Sequence, residues 1–224
     1  MNTLIFDWDG TLANSIDNIV AAMQRAAADV DLPVRSVREV RDIIGLALPD
    51  AVLVLYPELD DPAQAERLIE AYADNYLALE QSPSPLFDGV RDALDILRRR
   101  GFHLAVATGK GRRGLDRMLG NHGLEQYFDV TRCADETAGK PHPLMIEQIL
   151  AELEVTPADA CMVGDSEFDI LMGHNAGVCP VAVTYGAMTH AQLLRCQPVH
   201  CVDYFDEFHG WVLPRFRAGQ LTEV

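Results

Sequence analysis

Basic residues are scarce in this chain, which carries 18 Lys and Arg against 34 Asp and Glu and therefore has a net charge of −16 at pH 7. Proteins that bind nucleic acid or an anionic membrane over a broad area need a basic surface that releases counterions. We therefore expect neither nucleic acid nor a membrane among the main partners. The 224 residues, of which 49% are hydrophobic, suffice for one large domain or two modest ones.

Cysteine is also infrequent, with five residues and no Cys-x-x-Cys pair. An odd number of cysteines without that spacing favours reduced thiols in a cytosolic protein. A zinc site at Cys196, His200 and Cys201 is disfavoured, because no fourth ligand accompanies them at finger spacing. No apolar run approaches the ~20 residues of a membrane span, and no basic and apolar leader opens the chain. We therefore expect a cytoplasmic location.

Short apolar runs alternate with helical patterns from residue 86 onward. Such alternation predicts right-handed crossovers and a mostly parallel sheet that is covered by helices on both faces. The expected fold class is therefore α/β, with a doubly wound, mostly parallel sheet. The predicted strands are 3–6, 103–107, 128–133, 160–163 and 179–183, and the predicted helices after residue 86 are 90–101, 112–121, 143–153 and 168–176.

Residues 14–81 break this alternation, because only helical patterns occur there. One apolar stripe runs from Ile16 to Ala27 at helical spacing, and another runs from Leu68 to Leu77. Ser15 is the predicted N-cap of the first helix. Two prolines in residues 82–85 cannot continue a helix and hold the returning chain extended. We therefore predict an all-helical cap domain at 14–82, inserted after the first strand of an α/β core domain formed by 1–13 and 83–224.

Two acidic residues follow the first predicted strand. Asp7 and Asp9 stand two residues apart, and Gly10 allows the chain to turn sharply after them. In open α/β sheets, ligands bind at the carboxyl ends of the strands, where the loops diverge and leave a crevice. An Asp after a strand is also common as a turn residue or a helix cap, so Asp7 alone does not define a site.

Further polar residues follow other predicted strands. The segment Thr108-Gly109-Lys110 offers a hydroxyl group and backbone N–H groups that can face an anion. Asp165 follows the strand 160–163 with Asp169 four residues beyond it, and Lys140 stands at the start of a predicted helix. Each feature alone is typical of a turn, a solvated lysine or a helix cap. Their combination predicts one polar site at the carboxyl edge of the sheet.

The order Asp-x-Asp-Gly-Thr, Thr-Gly, Lys and Gly-Asp-x-x-x-Asp resembles that of the haloacid dehalogenase superfamily of phosphotransferases. The resemblance spans Asp7 to Asp169, and the predicted helical insertion falls where one large subgroup carries its cap. Within the superfamily the chain is most similar to phosphoglycolate phosphatases and their relatives. Two positions depart from the common pattern: Trp8 stands where an aliphatic residue is frequent, and Gly109 stands where an Asn usually follows the Thr or Ser.

The resemblance implies a Mg²⁺-dependent phosphatase that acts on a small phosphomonoester such as 2-phosphoglycolate. Asp7 would attack phosphorus to form an aspartyl-phosphate, and Asp9 would protonate the leaving alcohol and then activate water. Mg²⁺, a hard cation with oxygen ligands, would balance the negative charges. The implied catalytic residues are Asp7, Asp9, Thr108 and Lys140. The implied metal ligands are the side chains of Asp7 and Asp165, the main-chain carbonyl of Asp9 and, through a water, Asp169. The implied substrate-binding residues are Trp8, Gly45, Thr108, Gly109, Lys110 and Lys140.

The same residues leave other activities open. A phosphomutase would differ only in whether the cap lets the intermediate return to another hydroxyl, and a nucleotide, sugar-phosphate or pyrophosphate phosphatase would use the same groups. A haloacid dehalogenase is disfavoured, since it needs neither Asp9 nor Asp165. The non-enzymatic alternative is a signalling domain that keeps a phosphoryl group on Asp7, and the predicted lid argues against it. We expect a monomer or weak dimer. The expected binding partner is a small-molecule phosphomonoester substrate.

Overall fold

The fold is built around a six-stranded sheet in which every neighbouring pair of strands is parallel. A computed structural model describes residues 2–215. The strand order is β3-β2-β1-β4-β5-β6, so the winding direction reverses between β1 and β4. Ligands bind at such a switch point in doubly wound sheets. The predicted fold class is confirmed. The strands are β1 Thr3–Phe6, β2 His103–Thr108, β3 Val130–Cys133, β4 Ala160–Gly164, β5 Cys179–Val183 and β6 His200–Val202.

Side chains alternate along each strand, so each strand sends side chains to both faces of the sheet. Both faces are covered. Leu4 and Phe6 of β1 join one hydrophobic core, and Ile5 joins a second core on the opposite face. All four residues of β1 are buried, as expected for a central parallel strand. The helices that follow the insertion are α5 Val90–Arg99, α6 Arg112–His122, α7 Leu144–Glu152, α8 Glu167–Asn175, α9 His190–Arg195 and α10 Phe205–Arg215.

Four helices lie in the chain between β1 and α5, and we call residues 14–82 the cap. They are α1 Ile16–Asp29, α2 Val37–Asp42, α3 Leu48–Leu55 and α4 Pro62–Leu79. They share a hydrophobic core that includes one residue from outside the cap, Ala187, and Met23, Tyr56 and Leu68 are wholly or almost wholly buried in it. The domain boundaries themselves stay a prediction, and residues 1 and 216–224 of the predicted core domain lie outside the described residues.

The strand β6 is missing from the sequence-based prediction. It has three residues and only Val202 is buried, so no period of alternation marks it. The five cysteines are free thiols, two of them buried and three half-buried. Within residues 2–215, no helix combines the length and hydrophobicity that a membrane span requires.

Candidate active site

The carboxyl ends of three neighbouring strands bring polar side chains together at the switch point. Asp7 follows β1, Thr108 ends β2 and Asp165 follows β4, while Asp169 lies in the first turn of α8 and Lys140 precedes α7. All five residues are at most 2% exposed. Because buried charges are costly unless they are paired or bind an ion, this cluster is the strongest candidate for a functional site.

Lys140 connects two of the acids. Its Nζ lies 2.6 Å from Asp7 Oδ1 and 2.6 Å from Asp169 Oδ1. Burial acts to lower the pKa of Lys140, but the carboxylates of Asp169 and Asp7 together hold it above its usual value. Lys140 is therefore a fixed cation inside the cluster.

The three carboxylates are arranged as a possible cation site. Asp7, Asp165 and Asp169 each offer an oxygen, and these oxygens lie within 4.8 Å of one another. Burial raises the pKa of Asp7 to about 7 against the opposing effect of Lys140. Burial and repulsion from Asp7 also raise the pKa of Asp165 well above its usual range. Within the described residues Asp7 Oδ2 is buried and has no hydrogen-bond partner. An unpartnered carboxylate oxygen among three buried acids fits a hard divalent cation such as Mg²⁺.

Backbone and hydroxyl donors fix the orientation of Asp165. Thr11 Oγ1 donates to Asp165 Oδ1 at 3.1 Å, and the Ala187 N–H donates to Oδ2 at 2.6 Å. A Cβ at Gly10 would lie 2.1 Å from Asp165 Oδ2, and one at Gly186 would lie 2.3 Å from the same atom. Gly10 therefore provides space for a site residue as well as a turn. Thr11 belongs to the Asp-x-Asp-Gly-Thr segment, but sequence reasoning assigned it no role.

Asp169 serves two purposes at once. Its Oδ2 accepts from the N–H of Ser166 at 3.1 Å and from Ser166 Oγ at 2.6 Å, and the two residues form the capping box of α8. Its Oδ1 accepts from Lys140. Asp169 therefore helps to cap the helix, which is the structural role that the sequence also allowed. It belongs to the charged cluster as well.

Asp9 stands apart from the three clustered carboxylates and is only half-buried. Its Oδ1 accepts from Ser15 Oγ at 2.6 Å, and its Oδ2 lies 3.1 Å from Lys110 Nζ. Lys110 also lies over the ring of Tyr76 from α4, with 4.6 Å between Nζ and the ring centroid. Ser15 occupies the N-cap position of α1, but its side chain makes no capping bond. Ser15 is therefore the N-cap by position, as predicted, but its hydroxyl orients Asp9 instead of capping the helix.

The Trp8 side chain lies in the hydrophobic core. It is wholly buried, and its ring contacts those of His122 and Phe128. Side chains on extended chain point alternately to opposite sides, so a residue between Asp7 and Asp9 points away from both. The structure therefore does not bring the predicted substrate-binding residue Trp8 to the site through its side chain.

A cap loop touches the core at Gly109. A Cβ built on Gly109 would lie 2.5 Å from the carbonyl oxygen of Leu46 and 2.6 Å from that of Gly45, distances that no real side chain tolerates. A glycine at this position therefore lets the cap approach the end of β2. This contact gives a physical reason for a Gly where the resemblance leads one to expect Asn. Gly45 itself has a φ of +108° and lies on the cavity described next.

A cavity of about 540 Å³ opens between the cap and the carboxyl edge of the sheet. Asp7, Asp9, Thr108, Gly109 and Lys110 line one side of it. On the opposite wall the sequence predicted only the loop at Gly45, because apolar residues at helical spacing indicate packing without showing whether they also face a cavity. That wall includes Ile19, Met23, Ile43, Ile44, Leu46, Leu48, Tyr72 and Tyr76 from the cap.

Arg41 of α2 binds the loop that orients Asp165. Its Nη2 donates to the carbonyl of Gly186 at 2.6 Å, and its Nε donates to that of Ala187 at 3.1 Å. The N–H of Ala187 is the same group that donates to Asp165. One side chain of the cap is thereby linked to an acid of the core, which no sequence pattern indicated.

Comparison with known proteins agrees with this geometry. Residues 4–183 match the family model described as haloacid dehalogenase-like hydrolase. The "Probable phosphatase IndB" of Dickeya dadantii (strain 3937) is 37% identical over 211 residues, covering 92% of this chain and 91% of that protein. A "Phosphoglycolate phosphatase" of Vibrio vulnificus (strain YJ016) is 33% identical, covering 82% of this chain and 83% of its own. A solved structure described as "a predicted phosphatase from Clostridium acetobutylicum" has a TM-score of 0.85 and 26% identity, covering 95% of this chain and 98% of that one. This chain belongs to the haloacid dehalogenase-like hydrolase family.

Proposed function

We propose that this protein is a Mg²⁺-dependent phosphatase that hydrolyses a phosphomonoester through a phosphoryl group carried on Asp7. The observation that carries the proposal is the buried, unpartnered Oδ2 of Asp7, a residue that lines the cavity between cap and core, beside the fixed cation Lys140. The family to which the chain belongs consists of hydrolases, and two relatives are called phosphatases.

Asp7 is the proposed nucleophile. Its carboxylate oxygen forms a bond to phosphorus while the bond from phosphorus to the leaving alcohol oxygen breaks, which gives an aspartyl-phosphate. Water then attacks the same phosphorus, releases inorganic phosphate and restores the carboxylate. Lys140 donates to Oδ1 of Asp7 and so fixes the orientation of that carboxylate.

Asp9 is the proposed general acid and base. It gives a proton to the leaving oxygen in the first step and takes one from water in the second. Ser15 and Lys110 fix its carboxyl group on the cavity wall, while its partial exposure allows protons to exchange with solvent. The separation of Asp9 from the buried cluster suits a group that must change its protonation state.

Donors near Asp7 would stabilise the charge that gathers on phosphorus oxygens in the transition state. Thr108, which carries a hydroxyl, and Gly109, which carries a backbone N–H, both line the cavity, and Lys140 pairs with Asp7. Mg²⁺, when bound by the side chains of Asp7 and Asp165 and the carbonyl of Asp9, would neutralise the repulsion between nucleophile and phosphate. Asp169, whose oxygens already accept from Lys140 and Ser166, would act on the ion through a water.

The cap favours an enzyme that turns over its substrate, rather than a signalling domain that keeps a phosphoryl group for a long time. The cap lines one side of the cavity beside Asp7 and Asp9, so it would limit the access of bulk water to a phosphoryl group on Asp7 and favour attack by the water that Asp9 activates. A phosphomutase remains the second enzymatic candidate, since it would use the same groups. 2-Phosphoglycolate, nucleotides, sugar phosphates and pyrophosphate are the substrates to compare.

A phosphate-release assay tests the proposal. We expect Mg²⁺-dependent release of inorganic phosphate from p-nitrophenyl phosphate and from at least one metabolite ester, and loss of release in EDTA that excess Mg²⁺ restores. Transfer of the phosphoryl group to an added sugar phosphate, without net phosphate release, would favour the mutase. A stable phosphoryl-protein without turnover would favour the signalling domain.

Arg41 provides a prediction about the contact between cap and core. Arg41→Ala should lower kcat/KM at least about tenfold, because two hydrogen bonds from a charged group to the loop at 186–187 are lost. The concentration of Mg²⁺ at half-maximal activity should rise too, since that loop orients Asp165. Arg38 lies on the same helix with its side chain 87% exposed, so Arg38→Ala is the matched control. Equal, small effects of the two variants would contradict the proposed link.

A further inference from the structure

The cavity next to Asp7 is much larger than a two-carbon acid requires. Its volume of about 540 Å³ lies within the range of pockets that enclose drug-sized ligands, about 300–1,000 Å³. A phosphoryl group at Asp7 would occupy the end of the cavity beside Thr108 and Gly109. Most of the residues that line the cavity belong to the cap, so the cap would surround the leaving group of the substrate.

The cap side of the cavity offers apolar and aromatic surface. Met23 and Leu48 contribute aliphatic side chains, and Tyr72 and Tyr76 stand beside each other with ring centroids 5.8 Å apart and ring planes 28° apart. Such a surface gains most from an apolar group that it removes from water, and flat rings prefer to contact flat rings. The wall therefore matches an apolar ring better than a short acid.

The cations of the cavity are largely committed to acids. Nζ of Lys110 is paired with Asp9 at 3.1 Å, and Nε of Arg117 is paired with Glu80 at 2.5 Å. Arg113, the third cation among the described lining residues, is exposed, so an ion pair that it formed with a substrate would stay in contact with water and contribute little. A second anionic group on the substrate would therefore lie near Asp9 without a dedicated partner, which disfavours substrates that are charged at both ends.

On the basis of the proposed phosphatase activity, we propose that the physiological leaving group is a large, uncharged alcohol that carries an apolar ring. The phosphoryl group binds at Asp7, and the ring packs between the tyrosine pair of α4 and the aliphatic residues of α1 and α3. Esters that bear a carboxylate, such as 2-phosphoglycolate, lie outside this substrate class.

Three esters test the substrate class. Ethyl phosphate and 2-phenylethyl phosphate are both esters of primary alcohols and differ chiefly in the ring, whereas 2-phosphoglycolate carries a carboxylate instead. We expect kcat/KM for 2-phenylethyl phosphate to exceed the values for the other two at least about 30-fold, because filling an apolar pocket gives about 10–200-fold even for a single methylene.

Two leucines of the same helix provide matched variants. Leu48 lines the cavity, whereas Leu53 is 54% exposed. Leu48→Ala should lower kcat/KM for 2-phenylethyl phosphate about tenfold and for ethyl phosphate much less. Leu53→Ala should leave both values within about twofold, since surface substitutions rarely exceed about 0.5 kcal/mol.

The outcomes separate this inference from the proposed function on which it rests. Faster hydrolysis of 2-phosphoglycolate than of 2-phenylethyl phosphate, or equal values for the ethyl and phenylethyl esters, would overturn the substrate class and leave the phosphatase standing. Equal losses in the two leucine variants would also overturn it. No Mg²⁺-dependent hydrolysis of any ester, p-nitrophenyl phosphate included, would overturn both.

Discussion

Replacement of Asp7 by Asn should abolish phosphate release, with kcat lower by about 10⁶-fold, the size of loss that removal of a covalent nucleophile causes. The amide cannot form the phosphoryl bond, while its volume matches that of the carboxyl. The other residues of the cluster remain in place, because Lys140 still pairs with Asp169 and Asp165 keeps its bonds to Thr11 and Ala187. The loss would therefore report chemistry rather than unfolding.

The stability of the Asp7→Asn variant provides an independent check. Burial raises the pKa of Asp7 to about 7, so in the metal-free protein its charged form is less favourable in the fold than in the unfolded chain. The contribution of this group to stability is thus present below its unfolded pKa and lost as the pH rises through about 7. A neutral Asn avoids that loss, and we expect an equal or higher Tm than the parent protein at pH 8 without metal.

The measurements are p-nitrophenyl phosphate hydrolysis in Mg²⁺ and thermal unfolding without it. Asp60 is exposed in the cap, so Asp60→Asn makes the same chemical change far from the cluster and should keep full activity. Hydrolysis by Asp7→Asn at a rate near that of the parent would contradict the role of Asp7. The inactive variant must still show a cooperative unfolding transition, which shows that it is folded.

The residues at strand ends could be predicted because parallel strands bring their carboxyl ends to one edge, whatever the details of packing. That rule places Asp7, Thr108 and Asp165 together from sequence order alone. It does not place Trp8, because a residue between two site residues on extended chain faces the other side.

Contacts between cap and core lay beyond the reach of sequence patterns. Leu48 and Tyr72 fit the apolar face of a helix equally well whether they fill the core of the cap or line a cavity. Arg41 meets the core at Gly186 and Ala187, more than 140 positions away in the chain, so no local spacing signals it. Ser15 has the residue type and position of an N-cap, but Asp9 competes successfully for its hydroxyl.

Replacement of Lys140 by Met should cause the largest loss of stability of any single change at the site. The variant leaves Asp7, Asp165 and Asp169 buried within 4.8 Å of one another without their cation. Removal of one partner of a buried ion pair costs about 3–5 kcal/mol of unfolding free energy. Catalysis should fall as well, with kcat/KM lower by about 10²–10³-fold, because the cation that holds the carboxylate of Asp7 and offsets the negative charge of the site is lost.

The pH dependence separates this electrostatic effect from a packing defect. Lys140 lowers the pKa of Asp7, so without Lys140 the carboxyl of Asp7 keeps its proton to a higher pH. At acidic pH Asp7 is then neutral, and the repulsion among the buried carboxylates is smaller. Urea unfolding of Lys140→Met should therefore show a greater loss relative to the parent at pH 8 than at pH 6. Bound Mg²⁺ should restore part of the loss at pH 8, since a ligand of the folded state alone stabilises it.

A double variant completes the test of Lys140. Adding Asp7→Asn to Lys140→Met removes one of the uncompensated carboxylates, so stability at pH 8 should recover in part while activity stays absent. Lys110→Met is the matched lysine control, because Lys110 pairs with the single, half-buried Asp9 and its removal leaves no buried cluster without a cation. An equal loss at both pH values, unaffected by Asp7→Asn, would show that Lys140 acts through packing, because only an electrostatic role makes stability depend on the charge of its partners.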